Sequence, residues 1–477
     1  MRRFGLILGA TLLSGALFAI ATPPGDIQAL GWVCFVPLLA SLAGARLIAA
    51  ILAPMGALMF GAWLTTTGWL YSWPVLEGEA AWHYSGFLLF ALALTPAFLA
   101  AACQTKPSGW TVFALAAAFT ACESLLLLYL PGHIALSQYR SPAMLFVASL
   151  GGIWLVSLLV WWVQLRMAFW LAEKTWPSRP ALAALALPVT VAAVWEHRDP
   201  GGPNTPVPPE PQGLRVGIIQ SIDSDFEDLS KWTQEAKALG AKLVVWPELS
   251  AAGIAAGGRT ERLLELSVSL GDTGFVTTFP NQSDPKPYNT AAVFEAGRES
   301  PHYYKRKPFA AEAKDHQAGT RAVAVEAAGA RVGLNVCFDS CYPNIIRETA
   351  HDERADVVAL PCMGPESPYG VIQSIHGAFT PFRSAEAGVP IVRGETSAFA
   401  MVTDSSGRVV AQAPPGFQGL VMADIEAKRR WTLASQLGDG VLWMCWAIAL
   451  GTLGKASAAK ISRHFSGQDR RTMDLGG

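Results

Sequence analysis

The sequence predicts a multi-span α-helical membrane bundle joined to an α/β domain. Three observations predict it. Residues 1–197 are almost continuously apolar, residues 213–430 have the composition of an ordinary soluble domain, and a second apolar run at 437–455 precedes a basic tail, 456–477. Charged residues make up 15% of the chain, against about 25% in soluble domains. The mean hydropathy is +0.31.

A helix needs about 20 apolar residues to cross a bilayer. Candidate spans in the first region are 4–22, 27–44, 47–71, 85–103, 110–130, 142–165 and 180–196, and the run 437–455 adds one more. Gly56, Gly61, Pro96 and Gly151 lie inside these runs, and membrane helices tolerate both residue types. They are therefore expected to leave the spans unbroken. The first run, with Arg2 and Arg3 before it and Ala-Ile-Ala at its end, also has features of a cleaved signal peptide. Its length and the spans that follow at once favour a retained helix.

Lysine and arginine placement orients the spans. Arg2 and Arg3, Arg46, Lys106, and the group Arg166, Lys174 and Arg179 fall on one side. Lys455, Lys460, Arg463, Arg470 and Arg471 follow the last run, and the alternate loops carry only Arg140. Both termini are thus expected in the cytoplasm and the polar domain outside it. The Pro/Gly-rich stretch 198–212 reads as an extended linker.

In 213–430, LRVGIIQSI, KLVVWPE, GFVTTFP, NTAAVFEA, ARVGLNVCFD, ADVVALP and VPIVRGE read as strands. DLSKWTQEAKALG, RTERLLELSVSLG, YPNIIRETAHDE and YGVIQSIHGAFTPFRSAEAG read as helices, and AFAMVTDSSGRVVAQAP as a hairpin. Apolar strands alternating with amphipathic helices indicate an α/β domain with buried sheets.

Other classes are excluded. A net charge of −1 offers nucleic acid no electrostatic attraction. Cys34, Cys103, Cys122 and Cys445 lie in apolar runs and Cys337, Cys341 and Cys362 in the polar domain; no CxxC occurs. An odd, irregular set argues against a disulfide framework or a zinc site. No metal or nucleotide motif is present, so no cofactor is expected. The spans hold few of the ionisable groups that coupled transport needs.

Chemistry gathers at strand ends. Glu248 closes VVWPE, Cys337 closes VGLNVC, and Lys305 lies between them in YYKRKPF. A carboxylate can deprotonate a thiol, and a lysine can stabilise both the thiolate and the oxyanion formed when it attacks a carbonyl. Taken singly, each has a plainer reading: a loop carboxylate, a solvated basic run with Arg306 and Lys307, and a buried thiol. Cys341 is the competing nucleophile, one turn further on and placed at the start of a helix.

In order, VVWPE, YNTAAVF (288–294), YYK and VGLNVCFD resemble the nitrilase, or carbon–nitrogen hydrolase, superfamily. That resemblance implies an αββα sandwich with a Glu–Lys–Cys triad. With the membrane segments PPGDIQALGWVCFVPLLASL, MFGAWLTTTGWLYSW and ASLGGIWLVSLLVWWVQ, nearly the whole chain resembles the apolipoprotein N-acyltransferases, the membrane-bound branch. The resemblance implies Glu248 as general base, Lys305 as oxyanion stabiliser and Cys337 as nucleophile. It also implies a bacterial inner-membrane location with a periplasmic catalytic domain. The expected partners are a phospholipid acyl donor, a diacylated lipoprotein acceptor and the bilayer.

The chain departs from that family in three places. Where the family usually carries LVPFGE after the lysine, this chain has KRKPFAAEA, with Glu312 as a stand-in glutamate. The Tyr-Glu pair after the nucleophile is replaced by Phe338-Asp339. The stretch ALPCMGPESPYG has neither the usual Asn-Asp nor the Trp. Glu312, Phe338 and Asp339 are therefore the expected supporting residues. An amide hydrolase anchored in the membrane, an N-acyltransferase with a different acceptor, and a non-catalytic binding module are the alternatives.

Overall fold

The computed structural model describes residues 2–67, 77–128, 132–173 and 213–452, apart from 223–224, 256–259, 282, 284, 310–311, 365–370, 398 and 415. The candidate span 180–196, the linker 198–212 and the tail 456–477 lie outside the described residues.

In chain order the bundle comprises α1 (Arg2–Ala21), the short α2 (Gln28–Gly31) and α3 (Val36–Leu42), α4 (Leu47–Thr66), α5 (Glu77–Ala102), α6 (Gly109–Glu123) and α7 (Pro142–Glu173). Among the described residues, five helices are long and apolar enough to cross a membrane: α1, α4, α5, α6 with the turn after it, and α7. Their outer faces carry exposed Phe4, Leu6, Leu52, Trp110 and Phe146. In lipid, helices associate through close packing rather than hydrophobic exclusion. Gly15 makes such a contact, since a Cβ there would lie 2.2 Å from the Ala57 carbonyl oxygen of α4.

Two sequence expectations change here. The segment 27–44 is not one helix but α2 and α3, with Pro37 at the start of α3. Broken backbone at membrane depth must be re-paired inside the protein. Gln164 of α7 does this: its Nε2 donates to the Gly31 carbonyl at 3.1 Å and its Oε1 accepts from the Phe35 amide at 2.7 Å. Ser14 Oγ accepts from the Leu38 amide at 3.1 Å. Helix α7 is likewise interrupted, at Gly151 and Gly152, where Gly152 has φ +73°. The freed Ile153 amide donates to Glu386 Oε1 at 2.6 Å, so the break is capped by the α/β domain.

That domain has two mixed sheets. One runs β13-β1-β2-β3-β4-β5, with β6 also paired to β4, and the other runs β12-β11-β10-β9-β8-β7. The first contains β1 (Leu214–Gln220), β2 (Leu243–Val245), β3 (Gly274–Asn281), β4 (Tyr288–Glu295), β5 (Arg298–Glu299), β6 (Tyr303–Tyr304) and β13 (Gly419–Ile425). The second contains β7 (Val323–Ala327), β8 (Ala330–Leu334), β9 (Val357–Pro361), β10 (Ile391–Gly394), β11 (Met401–Thr403) and β12 (Val409–Gln412). Strands β8, β9 and β10 are parallel.

Side chains alternate across a strand, and the alternation sorts the core. Ile218, Val245, Val276, Ala291 and Val293 belong to the core shared with the second sheet. Their neighbours Ile219, Val244, Trp246, Phe275, Ala292 and Phe294 pack instead with Leu229 and Ala236 of helix Phe226–Ala238 and Leu263, Leu266 and Leu270 of helix Glu261–Leu270. Helices Pro343–His351 and Val371–Ala387 pack against the second sheet. The layering is thus helix, sheet, sheet, helix.

The sequence reading omitted β7 and β13. Strand β7 completes a hairpin with β8 through Ala328 and Gly329. Strand β13 pairs antiparallel with β1 along all seven of its residues. Past the domain, helix Gly440–Thr452 occupies part of the run 437–455 and is shorter than a full span among the described residues. Its Trp446 indole donates to Ser124 Oγ at 3.1 Å, which ties it to the bundle.

Candidate active site

The parallel strands end on one side of the domain, and the candidate residues follow them. Glu248 comes after β2, and its amide donates to the Cys362 carbonyl beyond β9 at 3.0 Å. Lys305 follows β6, and its amide donates to the Asn289 carbonyl at 2.9 Å. Cys337 follows β8 and opens the 3-10 turn Cys337–Cys341 with φ +49°. A non-glycine residue in that region costs about 1–3 kcal/mol and persists only where its surroundings enforce it.

Glu248, Lys305 and Cys337 meet as expected. Lys305 Nζ donates to Glu248 Oε1 at 2.7 Å and to Glu312 Oε2 at 2.6 Å, with the lysine 2% exposed. The expected stand-in Glu312 therefore does reach the lysine. Its Oε2 also accepts from the Phe309 amide at 3.0 Å. Asn289, which the sequence reading left without a role, bridges both acids: its Nδ2 donates to Glu248 Oε1 at 2.7 Å and to Glu312 Oε1 at 2.8 Å. An asparagine leading the apolar run of YNTAAVF was the signal available for it. Glu248 Oε2 has no hydrogen-bond partner among the described residues, and the Cys337 thiol lies close enough to stabilise this carboxylate.

The supporting residues divide by task. Asp339 is fully buried and fastens two loops together. Its Oδ2 accepts from Tyr303 Oη at 2.6 Å and the Val336 amide at 3.0 Å, and its Oδ1 from the Lys307 amide at 2.8 Å. Phe338 packs edge-on against Phe309 with ring centroids 5.2 Å apart. Cys341 is buried at the far end of the turn, where Arg383 and Arg393 supply the nearest opposite charges. It is not the residue that meets the lysine and the glutamate.

The electrostatics favour a neutral thiol beside a carboxyl of raised proton affinity. Burial pushes the Glu248 carboxyl up, Lys305 opposes this, and the negative charge of Glu312 adds to it. Burial works against the Lys305 cation, but the Glu248 carboxylate outweighs it and holds the lysine well above its ordinary range. Burial likewise opposes the Glu312 charge, yet Lys305 and Asn289 keep it below the usual carboxylate range. A hydrogen bond with Cys362, followed by burial and the Glu248 charge, raises the Cys337 thiol well above its ordinary value. Groups this close exchange protons as a set.

Cys337, Cys362 and His376 place potential ligand atoms within 4.8 Å of one another. The imidazole does not suit a metal. Arg393 Nη2 donates to His376 Nδ1 at 3.1 Å, so the proton sits on Nε2, which lies 3.1 Å from the Cys337 carbonyl oxygen. A nitrogen that carries a proton has no lone pair for an ion.

Cys337, Glu248 and Lys305 open into a cavity of about 510 Å³. Its walls are largely apolar: Phe309, Phe338, Ile375 and Phe379 from the domain, and His83 and Phe87 from α5. The bundle therefore forms one side of the site.

The carbon–nitrogen hydrolase family matches residues 218–432, and the apolipoprotein N-acyltransferase N-terminal domain matches residues 14–166. The chain belongs to the apolipoprotein N-acyltransferase family. It is a membrane-embedded acyltransferase whose catalytic half has the nitrilase-type sandwich. An apolipoprotein N-acyltransferase from Geobacter metallireducens is 22% identical over 516 aligned positions, covering 95% of this chain and 96% of the relative. Among solved structures, an amidase of the nitrilase superfamily from Nesterenkonia AN1 is 17% identical, with a TM-score of 0.42, covering 50% of this chain and 98% of the amidase. A glutamine-dependent NAD+ synthetase from Acinetobacter baumannii is 20% identical, with a TM-score of 0.39, covering 44% of this chain and 45% of the synthetase.

Proposed function

We propose that the enzyme moves an acyl chain from a phospholipid to the α-amine of a diacylglyceryl-cysteine at a lipoprotein N-terminus, through a thioester on Cys337. One observation carries this reading: the buried Glu248–Lys305–Cys337 cluster opens into an apolar cavity that a bundle helix helps to wall. A lipid chain can reach such a site from the bilayer, and water is poorly held beside it.

In the first half-reaction Glu248 takes the Cys337 proton, and its unpartnered Oε2 offers a place for it. The thiolate attacks the ester carbonyl and Lys305 stabilises the oxyanion. The alkoxide leaves as lysophospholipid with the proton from Glu248. In the second half, Glu248 deprotonates the incoming amine, which attacks the thioester and expels the Cys337 thiolate, and the thiolate takes the proton from Glu248. Glu312 and Asn289 hold Lys305 and Glu248 in register, and Asp339 holds the turn that carries the nucleophile. The distribution of lysine and arginine supports cytoplasmic termini and a catalytic domain on the periplasmic face of an inner membrane.

The test is the intact mass of the purified protein after incubation with a phospholipid. A single acyl adduct, released by hydroxylamine and missing from Cys337→Ala, is expected. Folded protein that takes up no acyl chain would overturn the proposal. An adduct that water removes as fast as a lipopeptide amine does would favour an amide hydrolase instead.

A further inference from the structure

Cys362 is a thiol that the acyl-transfer scheme does not use, yet it is built into the nucleophile's surroundings. Strands β8 and β9 are parallel, with Leu334 opposite Ala359. The Asn335 amide extends that ladder to the Ala359 carbonyl at 3.1 Å. Just past these strand ends come Cys337, which opens the 3-10 turn after β8, and Cys362, which follows β9. The two sulfurs lie within 4.8 Å of each other, and the Cys337 thiol donates to the Met363 carbonyl at 3.7 Å. Both thiols are free.

Their access differs. Cys337 lines the cavity, whereas Cys362 is fully buried. A reagent therefore meets Cys337 first, and Glu248 is beside it to accept its proton.

We propose that Cys337 and Cys362 form a reversible oxidation site, with a small-molecule disulfide as the oxidant and Cys362 as the resolving thiol. The Cys337 thiolate attacks one sulfur of the disulfide, forms a mixed disulfide and expels one thiolate, which takes up the Cys337 proton. The Cys362 sulfur then attacks the Cys337 sulfur, breaks the mixed bond and expels the second thiolate, which takes up the Cys362 proton. Two protein thiols become one disulfide, and one external disulfide becomes two thiols. The bridge blocks acylation because it occupies the nucleophile, and reduction restores it. An extra-cytoplasmic site would meet an oxidising environment; that setting rests on the proposed orientation, whereas the bond itself does not.

The experiment treats the full-length protein in detergent with oxidised glutathione, alkylates remaining thiols in acid, and maps the peptides by mass. A Cys337–Cys362 linked peptide pair is expected, lost on adding dithiothreitol, with acyl-adduct formation falling in proportion to the bridged fraction. In Cys362→Ala the glutathione adduct should remain on Cys337. Stable glutathione on wild-type Cys337 without the linked pair would overturn the proposal. So would a link from either cysteine to Cys341, or free Cys337 and Cys362 in a sample whose exposed Cys103 has reacted. Because the bridge is read by mass, it stands or falls separately from phospholipid acyl transfer.

Discussion

Two acids share one lysine in this site, and that imbalance is its main electrostatic feature. With the thiol protonated, Glu248, Glu312 and Lys305 sum to one negative charge in a buried space. Burial raises the proton affinity of Glu248 against the pull of Lys305, and the Glu312 charge adds to the rise, as like charges do at close range. Under the proposed reaction acylation needs the Glu248 carboxylate, so the rate should rise with pH through that raised value. Glu312→Gln removes a negative charge, lowers the Glu248 value and should move the acid limb of the acylation profile to lower pH. The same change weakens a charged hydrogen bond to Lys305, which is worth roughly 1.5–3 kcal/mol and corresponds to about a 10- to 100-fold slower step. A pH–rate series on both proteins checks this. A limb that stays in place or moves upward would mean that Glu312 does not act on the base.

At the scale of elements, interrupted helices matter most. Gly152 adopts φ +73° and ψ −179°, a combination that is nearly exclusive to glycine and costs other residues about 1–3 kcal/mol. A Cβ there would also lie 3.3 Å from Glu386 Oε1, the atom that caps the break. Gly152→Ala should therefore lower the thermal unfolding midpoint in detergent, whereas an exposed substitution such as Leu150→Ala should do so less. An unchanged midpoint would show that the break is not held by its backbone conformation. The capping helix Val371–Ala387 also carries His376, whose Nε2 lies 3.1 Å from the carbonyl oxygen of Cys337. One element thus touches both the membrane bundle and the backbone of Cys337.

At the scale of the whole molecule, the bundle is part of the active site. Phe87 lies on α5, far in sequence from Cys337, yet the two line the same cavity. Replacing Phe87 with Trp adds bulk to a packed wall, which closes space rather than opening it. Under the proposed reaction, Phe87→Trp should lower kcat/KM for long-chain phospholipids more than for short-chain ones. Equal losses for both chain lengths would place the acyl chain elsewhere.

The sequence by itself determined the division into an apolar bundle and an α/β domain, because lipid burial and strand alternation are local, periodic demands on residue type. It also marked Glu248 and Cys337, because each closes a recognisable strand, and Lys305 through the YYK motif between them. Only the tertiary structure decided what surrounds them. Asn289 could be read as a strand residue until its amide was found between two carboxylates. Cys362 was one of three thiols in the polar domain until the fold set its sulfur within 4.8 Å of that of Cys337. The run 27–44 is apolar enough for a span, but Gln164, more than a hundred residues on, supplies the hydrogen bonds that let it break. Strand β13 pairs with β1 across nearly the whole domain, a partnership that no local pattern records. Composition and period are properties of neighbours in the chain; hydrogen-bond partners and shared cavities are properties of neighbours in space.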